Sequence, residues 1–221
     1  MDHIVKILST HKVLYNVRQF NVEKPKGFIF TPGQAIDLSI NQPDWKDKKN
    51  PFTFTALQAD PYLQFTIKIY PHHKEGVTRH LDTLREGDEL IISDAWGAIE
   101  YKGPGYFIAG GAGITPFIAI LRQLYLDKKI AGNTLYFSNK TSNDIILEDE
   151  LKLMLGDNAH FVTTGEKGDG DHRKIDMDFL IQEGIDTTKH FYVCGPDEMV
   201  QQLTEILGKL GAEADSVVFE K

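Results

Sequence analysis

The sequence predicts two domains of different architecture: an antiparallel β-barrel over residues 1–102, then an α/β domain with a parallel sheet over residues 103–221. Three observations carry this. The first half reads as short strands divided by turn residues, the second as alternating strands and helices, and between them KGPG (102–105) makes a short stiff turn.

In the first half, VLYNVRQF (13–20), QAIDLSI (34–40), FTFTAL (52–57), YLQFTIKIY (62–70) and ELIISDA (89–95) are rich in β-branched or aromatic residues. PKG (25–27), TPG (31–33), ADP (59–61) and EGD (86–88) supply turn chemistry between them. Several short strands at this spacing suggest a small antiparallel barrel. One helix interrupts them near GVTRHLDTL (76–84), where Val77, Leu81 and Leu84 share a face.

The second half predicts strands at 106–110, 133–139, 160–165, 190–195 and 216–220, with helices at 115–126, 147–155, 175–184 and 197–211. Such alternation implies a Rossmann-like parallel sheet covered on both faces. Gly103 to Leu121 carries no charge over 19 residues, close to a bilayer-spanning length, but its five glycines and two prolines would break a helix. Strand, glycine loop and helix fit it better.

Composition narrows the functional classes. The net charge of −8 is uneven: residues 1–102 hold 13 basic and 13 acidic side chains, residues 103–221 hold 11 and 19. A nucleic-acid binder needs a basic footprint that this chain lacks. With one cysteine, Cys194, the chain can form no internal disulfide, four-cysteine zinc site or iron–sulfur cluster of its own, and no metal site is expected. A reduced, cytoplasmic setting fits. MDHIVKILSTH does not read as a secretory signal, and no transmembrane segment is expected.

Four motifs can carry chemistry. AGGAGITP (109–116) follows a strand and opens a helix. Absent side chains at Gly110, Gly111 and Gly113 would let the backbone approach a pyrophosphate, with Thr115 as N-cap and Pro116 at the first helical position. Pro116 stands where the dinucleotide fingerprint has its third glycine. Alone, the loop also suits a plain strand–helix turn or a methyltransferase-type cofactor loop. CGPDEM (194–199) ends a strand of the parallel sheet, where open α/β sheets bind ligands, and Cys194, Gly195 and Pro196 form a flat ledge for a planar ring. In NPFTFTAL (50–57), Phe52 offers an apolar face and Thr53 a hydroxyl, while Gly76–Thr78 opens the lone helix.

The order and spacing of these motifs resemble the ferredoxin–NADP reductase superfamily, notably its flavodoxin reductase-like and cytochrome b5 reductase-like members, over essentially the whole chain. The family's Arg-x-Tyr-Ser/Thr flavin motif aligns with Asn50, Pro51, Phe52 and Thr53, and its Gly-x-x-Ser/Thr motif with Gly76, Val77 and Thr78, Arg79 taking the fourth position. The glycine loop matches GGAGITP (110–116), Cys-Gly-Pro-x-x-Met matches Cys194, Gly195, Pro196 and Met199, and YFSNKTSNDIILEDEL (136–151) looks like the segment after the second strand.

The resemblance implies an NAD(P)H-dependent flavoprotein reductase holding FAD rather than FMN, with electrons passing to a flavodoxin, ferredoxin or cytochrome. It assigns Thr53 and Cys194 to the chemistry: nicotinamide lies against the flavin, Thr53 bonds flavin N5, and Cys194 orients the nicotinamide ring. Cofactor contacts fall to Asn50, Pro51, Phe52, Thr53, Lys68, Ile69, Tyr70, Gly76, Val77 and Thr78. In the second half they fall to Gly111, Gly113, Thr115, Asn139, Lys140, Cys194, Gly195, Pro196, Met199 and Phe219.

The chain departs from the pattern in places. Asn50 replaces the arginine expected at the flavin pyrophosphate, which leaves Lys48 or Lys49 to supply its charge or flavin to bind weakly. Phe52 replaces tyrosine, and Phe219 is followed by Glu220 and Lys221 where relatives often end on an aromatic. For a 2′-phosphate, SNKTSND (138–144) offers only Lys140; TTGEKGDG (163–170) has Glu166 to repel it, with Lys167 and Arg173 nearby, so NADH is slightly favoured over NADPH. The alternatives are a non-catalytic electron-transfer subunit of a larger complex and a Rossmann-type methyltransferase or nucleotide sensor.

Overall fold

The computed structural model describes residues 1–72, 76–97, 99–165 and 170–212, and the backbone of residues 217–219. The chain divides into two compact units, Met1–Ala98 and Ile99–Lys221, a few residues before the KGPG turn.

The first unit contains β1 (Asp2–Leu14), β2 (Val17–Glu23), β3 (Ala35–Ile40), β4 (Asn50–Thr53), β5 (Tyr62–Lys68), helix α1 (Val77–Leu81) and β6 (Glu89–Ser93). The strands form one antiparallel sheet in the order β4-β3-β6-β1-β2-β5. Just past β4, Thr55 N–H donates to the Gln64 carbonyl of β5 at 2.8 Å, so the two edge strands meet and the sheet nearly closes into a barrel. Phe20, Phe30, Phe54 and Phe65 fill it, with Phe30 stacked on Phe54 at 4.2 Å. Full burial of each ring contributes about 1.5–3 kcal/mol.

Two expected strands are corrected. The run 13–20 is a hairpin corner: Leu14 pairs with Val17, leaving Tyr15 and Asn16 as the turn. Strand-forming residues flank that turn on both sides and Asn16 alone signals it. The strand at Asp2–Leu14 was not anticipated, because Ile4–Val5 and Ile7–Leu8 break the alternation that marks a half-buried strand. Val5 and Ile7 point into the core, while Ile4 and Leu8 remain 62% and 44% exposed. FTFTAL (52–57) is likewise shorter as a strand: at Phe54 the chain leaves the β3 ladder, its N–H donating to Gln34, and Thr55 crosses to β5.

In the second unit, β7 (Gly105–Gly110) runs through a 3-10 turn (Gly111–Ile114) into α2 (Thr115–Leu126). Then follow β8 (Thr134–Asn139), α3 (Glu148–Leu155), β9 (Ala159–Thr163), α4 (Met177–Gln182), β10 (His190–Cys194), α5 (Asp197–Lys209) and β11 (Val217–Phe219). All pairings are parallel, in the order β11-β10-β7-β8-β9. β7 is buried along its whole length, as expected of a strand covered on both faces. On one face Phe107 packs on Phe117 and Tyr192; on the other Tyr106 stacks on Phe191 and Phe179 meets Tyr136 edge-on. The uncharged run 103–121 thus resolves into strand, tight turn and half of α2, and among the described residues no helix is long and apolar enough to cross a membrane.

Winding runs outward from β7 through β8 to β9, then returns to lay β10 on the other side of β7. The direction reverses between β7 and β10, and open α/β sheets bind ligands beyond the carboxyl ends of strands at such a reversal.

Candidate functional site

At the reversal, Cys194 pairs with Ala109, so the carboxyl ends of β7 and β10 lie side by side. The glycine loop is pressed against the Cys194–Pro196 turn. A Cβ on Gly113 would lie 2.3 Å from the Cys194 carbonyl oxygen and 2.6 Å from the Gly195 nitrogen; one on Gly110 would lie 2.5 Å from the Met199 sulfur. One expectation changes here, the N-cap at Thr115, and packing adds a reason for two of the glycines. Gly110 and Gly113 are demanded by packing of protein on protein, whereas Gly111 is needed for its left-handed backbone, φ 54°. Thr115 is not an N-cap: the 3-10 turn at Gly111–Ile114 precedes it, and its hydroxyl donates to the Ala112 carbonyl at 3.0 Å. Met199, half-buried, fills the space over Gly110 and Gly195, and Cys194 is buried.

A second set crosses the same end of the sheet. Asn139 ends β8 and pairs with Thr163, which ends β9. Asp171 makes a parallel bridge to Val162 at the sheet edge, and its carbonyl accepts from Thr163 N–H at 2.8 Å. His172 Nδ1 sits 3.1 Å from the Thr163 hydroxyl. Asn139 is 5% exposed, and neither its amide nitrogen nor its amide oxygen finds a hydrogen-bonding partner in the protein. A buried amide left so costs about 1–3 kcal/mol, and a ligand hydroxyl able to donate and accept would relieve it. Its neighbour Lys140 is exposed. The following turn is locked by Asp144, whose carboxylate accepts from the Thr141 N–H and hydroxyl.

Arg173 is held by Asp171 and Glu183, each at 2.6 Å, with the guanidinium 4.4 Å from the centre of the Phe179 ring. Hydrogen bonding to Arg173 holds the Asp171 carboxyl below its usual range, and the two carboxylates raise Arg173 further. Glu166, Lys167 and the side chain of Phe219 lie outside the described residues, as do Glu220 and Lys221.

In the first unit, Asn50 to Thr53 form β4 itself, paired with Leu38 to Ala35. Asn50 and Pro51 are exposed, Phe52 is half-buried against the barrel core and Thr53 is 8% exposed. Lys68 ends β5, Ile69 packs into the core, and Tyr70 is 46% exposed. Gly76 is the extended N-cap of α1, Val77 is buried in the core and Thr78 half-buried. Both lysines suggested to replace the arginine are engaged: Lys49 pairs with Asp2 at 2.9 Å, which lowers that carboxyl, and Lys48 lies 4.2 Å over the Trp45 ring. Trp45 stacks on His80 of α1 at 4.2 Å, which ties the 41–49 loop to that helix.

Two supporting residues carried no motif. Tyr192 accepts from the N–H groups of Lys102 and Gly103 and donates to the Gly103 carbonyl at 2.7 Å, while burial pushes its phenol pKa up. Asn133 accepts from Gly105 N–H and so fixes the start of β7. Only the turn signal KGPG, which they hold, hinted at either.

The residues present fit the groups the motifs imply. The second unit combines the winding reversal, the close turn at Gly113 and a buried amide lacking protein partners. The first offers a half-buried aromatic beside a strand-end threonine.

Comparison with known proteins agrees. Residues 107–205 match the oxidoreductase NAD-binding domain. The reductase component of propane 2-monooxygenase from Rhodococcus jostii is 28% identical over 99% of this chain and 62% of its own length. NADH–cytochrome b5 reductase 1 of Arabidopsis thaliana is 30% identical over 66% of this chain and 55% of its own. The chain therefore spans less than two thirds of these relatives. A ferredoxin NADP+ reductase from Neisseria gonorrhoeae, solved with FAD and NADP, shares the fold with a TM-score of 0.84 at 18% identity, over 99% of this chain and 98% of its own.

Proposed function

The chain belongs to the ferredoxin–NADP reductase superfamily, and on that footing we propose that it is an NAD(P)H-dependent flavoprotein reductase passing electrons to a redox protein. Residues 1–102 hold FAD and residues 103–221 hold the nicotinamide dinucleotide. The observation that carries this is the approach of Gly113 to Cys194 at the winding reversal, which builds a narrow ledge where this architecture receives a dinucleotide.

The chain's own residues bind and orient. Phe52 supplies an apolar surface to the flavin ring and Thr53 a hydroxyl to its polar edge. Asn50 hydrogen-bonds the pyrophosphate without adding charge, helped by the Gly76–Thr78 backbone and by Lys68, Ile69 and Tyr70 at the end of β5. Gly111, Gly113 and Thr115 present the loop backbone to the dinucleotide; Asn139 and Lys140 meet its ribose end. Cys194, backed by Gly195, Pro196 and Met199, sets the plane of the nicotinamide. When bound, FAD supplies what side chains lack, acceptance of a hydride and release of single electrons. Positioning is the protein's contribution.

The acceptor is a flavodoxin, ferredoxin or cytochrome, and a reduced cytoplasmic setting suits the single buried thiol. The test is turnover by the purified chain with added FAD: NADH or NADPH should reduce ferricyanide, and one of the three protein carriers should then accept electrons faster than the others. Lack of ferricyanide turnover with both nucleotides would mark a non-catalytic subunit instead.

A further inference from the structure

We propose that this chain selects NADH over NADPH because Asp171 and Glu183 occupy Arg173, the cation that a 2′-phosphate would otherwise recruit; this rests on the dinucleotide-binding role of the second unit.

The argument starts from placement. Asn139, Thr163 and the Asp171–Arg173 segment follow one another across the carboxyl ends of β8, β9 and the sheet edge. A dinucleotide whose nicotinamide lies at the Gly113–Cys194 ledge, on β7 and β10, extends its adenosine toward β8 and β9, where the buried, unbonded Asn139 amide stands beside Thr163 at the strand ends. The ribose therefore meets this row.

A 2′-phosphate carries a double negative charge and is best held by a guanidinium fork or an ammonium. In the described segments 138–144 and 170–174 the cations are Lys140, Arg173 and Lys174. Lys174 donates to Gln202 at 3.0 Å. Arg173 bonds both oxygens of Asp171, an oxygen of Glu183 and the Gln182 side chain, and lies over the Phe179 ring. A phosphate could gain the bidentate guanidinium fork only by displacing one of these carboxylates, and would sit beside two carboxylates that repel it. The exposed Lys140 is left as a single point charge.

A neutral ribose diol meets a different surface. Asn139 offers a donor and an acceptor, both buried and neither bonded within the protein. That pair matches a hydroxyl, which also donates and accepts, and does nothing to offset phosphate charge. Selection thus has an attractive part, the Asn139 amide, and a repulsive part, the carboxylates around Arg173.

The test is calorimetric binding of 5′-AMP and 2′,5′-ADP to the full chain, which needs no turnover. In the wild type, 2′,5′-ADP should bind at least about threefold more weakly than 5′-AMP. Arg173→Gln should leave the ratio of the two affinities unchanged, since Arg173 is not available to phosphate. Asp171→Asn combined with Glu183→Gln should favour 2′,5′-ADP by about fivefold or more. Wild-type binding of 2′,5′-ADP as tight as or tighter than that of 5′-AMP, a fall in its relative affinity on Arg173→Gln, or no change in the double variant would each overturn the inference. Should the double variant not fold, the Arg173→Gln arm decides. Absence of binding by both probes and by NADH would overturn the dinucleotide role itself, whereas intact 5′-AMP binding with strong 2′,5′-ADP preference overturns only the selection.

Discussion

The Cα of Gly113 stands so close to Cys194 that a single methyl group there would come within 2.3 Å of the Cys194 carbonyl oxygen. Two strand ends far apart in sequence are thereby fixed against each other at the winding reversal. Because the obstructing atoms are backbone, no rotamer change can relieve the clash. Gly113→Ala should lower stability by about 1–3 kcal/mol, as overpacking does, and weaken 5′-AMP binding with it. Thermal unfolding and calorimetry of the variant check both effects.

Thr53 tests the flavin side. It ends β4 with 8% exposure, so Thr53→Ala removes a hydroxyl while leaving the strand pairing to Ala35 in place. The expected result is a slower flavin reduction by NADH, roughly 10- to 100-fold in stopped-flow, with nucleotide affinity nearly unchanged. An unaltered rate would remove Thr53 from the chemistry.

Asn50 should be the weak point of flavin retention. It is exposed, and the lysines beside it are committed to Asp2 and Trp45. Asn50→Arg adds a charge-assisted bond to the pyrophosphate and should tighten FAD binding about tenfold. Fluorescence titration of apoprotein with FAD measures it.

Asn139 should show opposite effects on stability and binding. Asn139→Leu replaces a buried amide lacking protein partners with an apolar side chain of similar size. The free protein should gain stability or hold level, by up to about 1–2 kcal/mol, while 5′-AMP binds more weakly. Loss of stability without loss of binding would make Asn139 a structural residue.

Acid should act partly through Asp171. Its carboxyl lies below the ordinary range because Arg173 bonds it, so its contribution is complete above the unfolded-state value and disappears as pH falls through the lower folded value. The side chain is 30% exposed, which limits the effect to about 0–1 kcal/mol. Between roughly pH 5 and pH 3, Asp171→Asn should flatten the fall in urea midpoint.

Much of this was legible from residue order. The alternating second half, the glycine loop and the Cys194 turn lie in local runs of sequence, each with its own signature. β1 stayed hidden because Ile4 and Leu8 face outward beside inward Val5 and Ile7, and the first hairpin because only Asn16 marks it. The reasons for Gly110 and Gly113 were also out of reach. Their obstacles, Met199 and Cys194, are neighbours through the parallel pairing of β7 with β10, and no local pattern encodes that contact. The engagement of Arg173 by Glu183 was hidden likewise, since it depends on where α4 ends.

The visible absorption spectrum of the purified chain, taken with added FAD before and after anaerobic NADH and NADPH, tests the central claim most directly. The account predicts protein-bound flavin bands that bleach with a nicotinamide nucleotide, and sooner with NADH. A chain that takes up no flavin, or whose flavin bands persist under excess of both nucleotides, would contradict it.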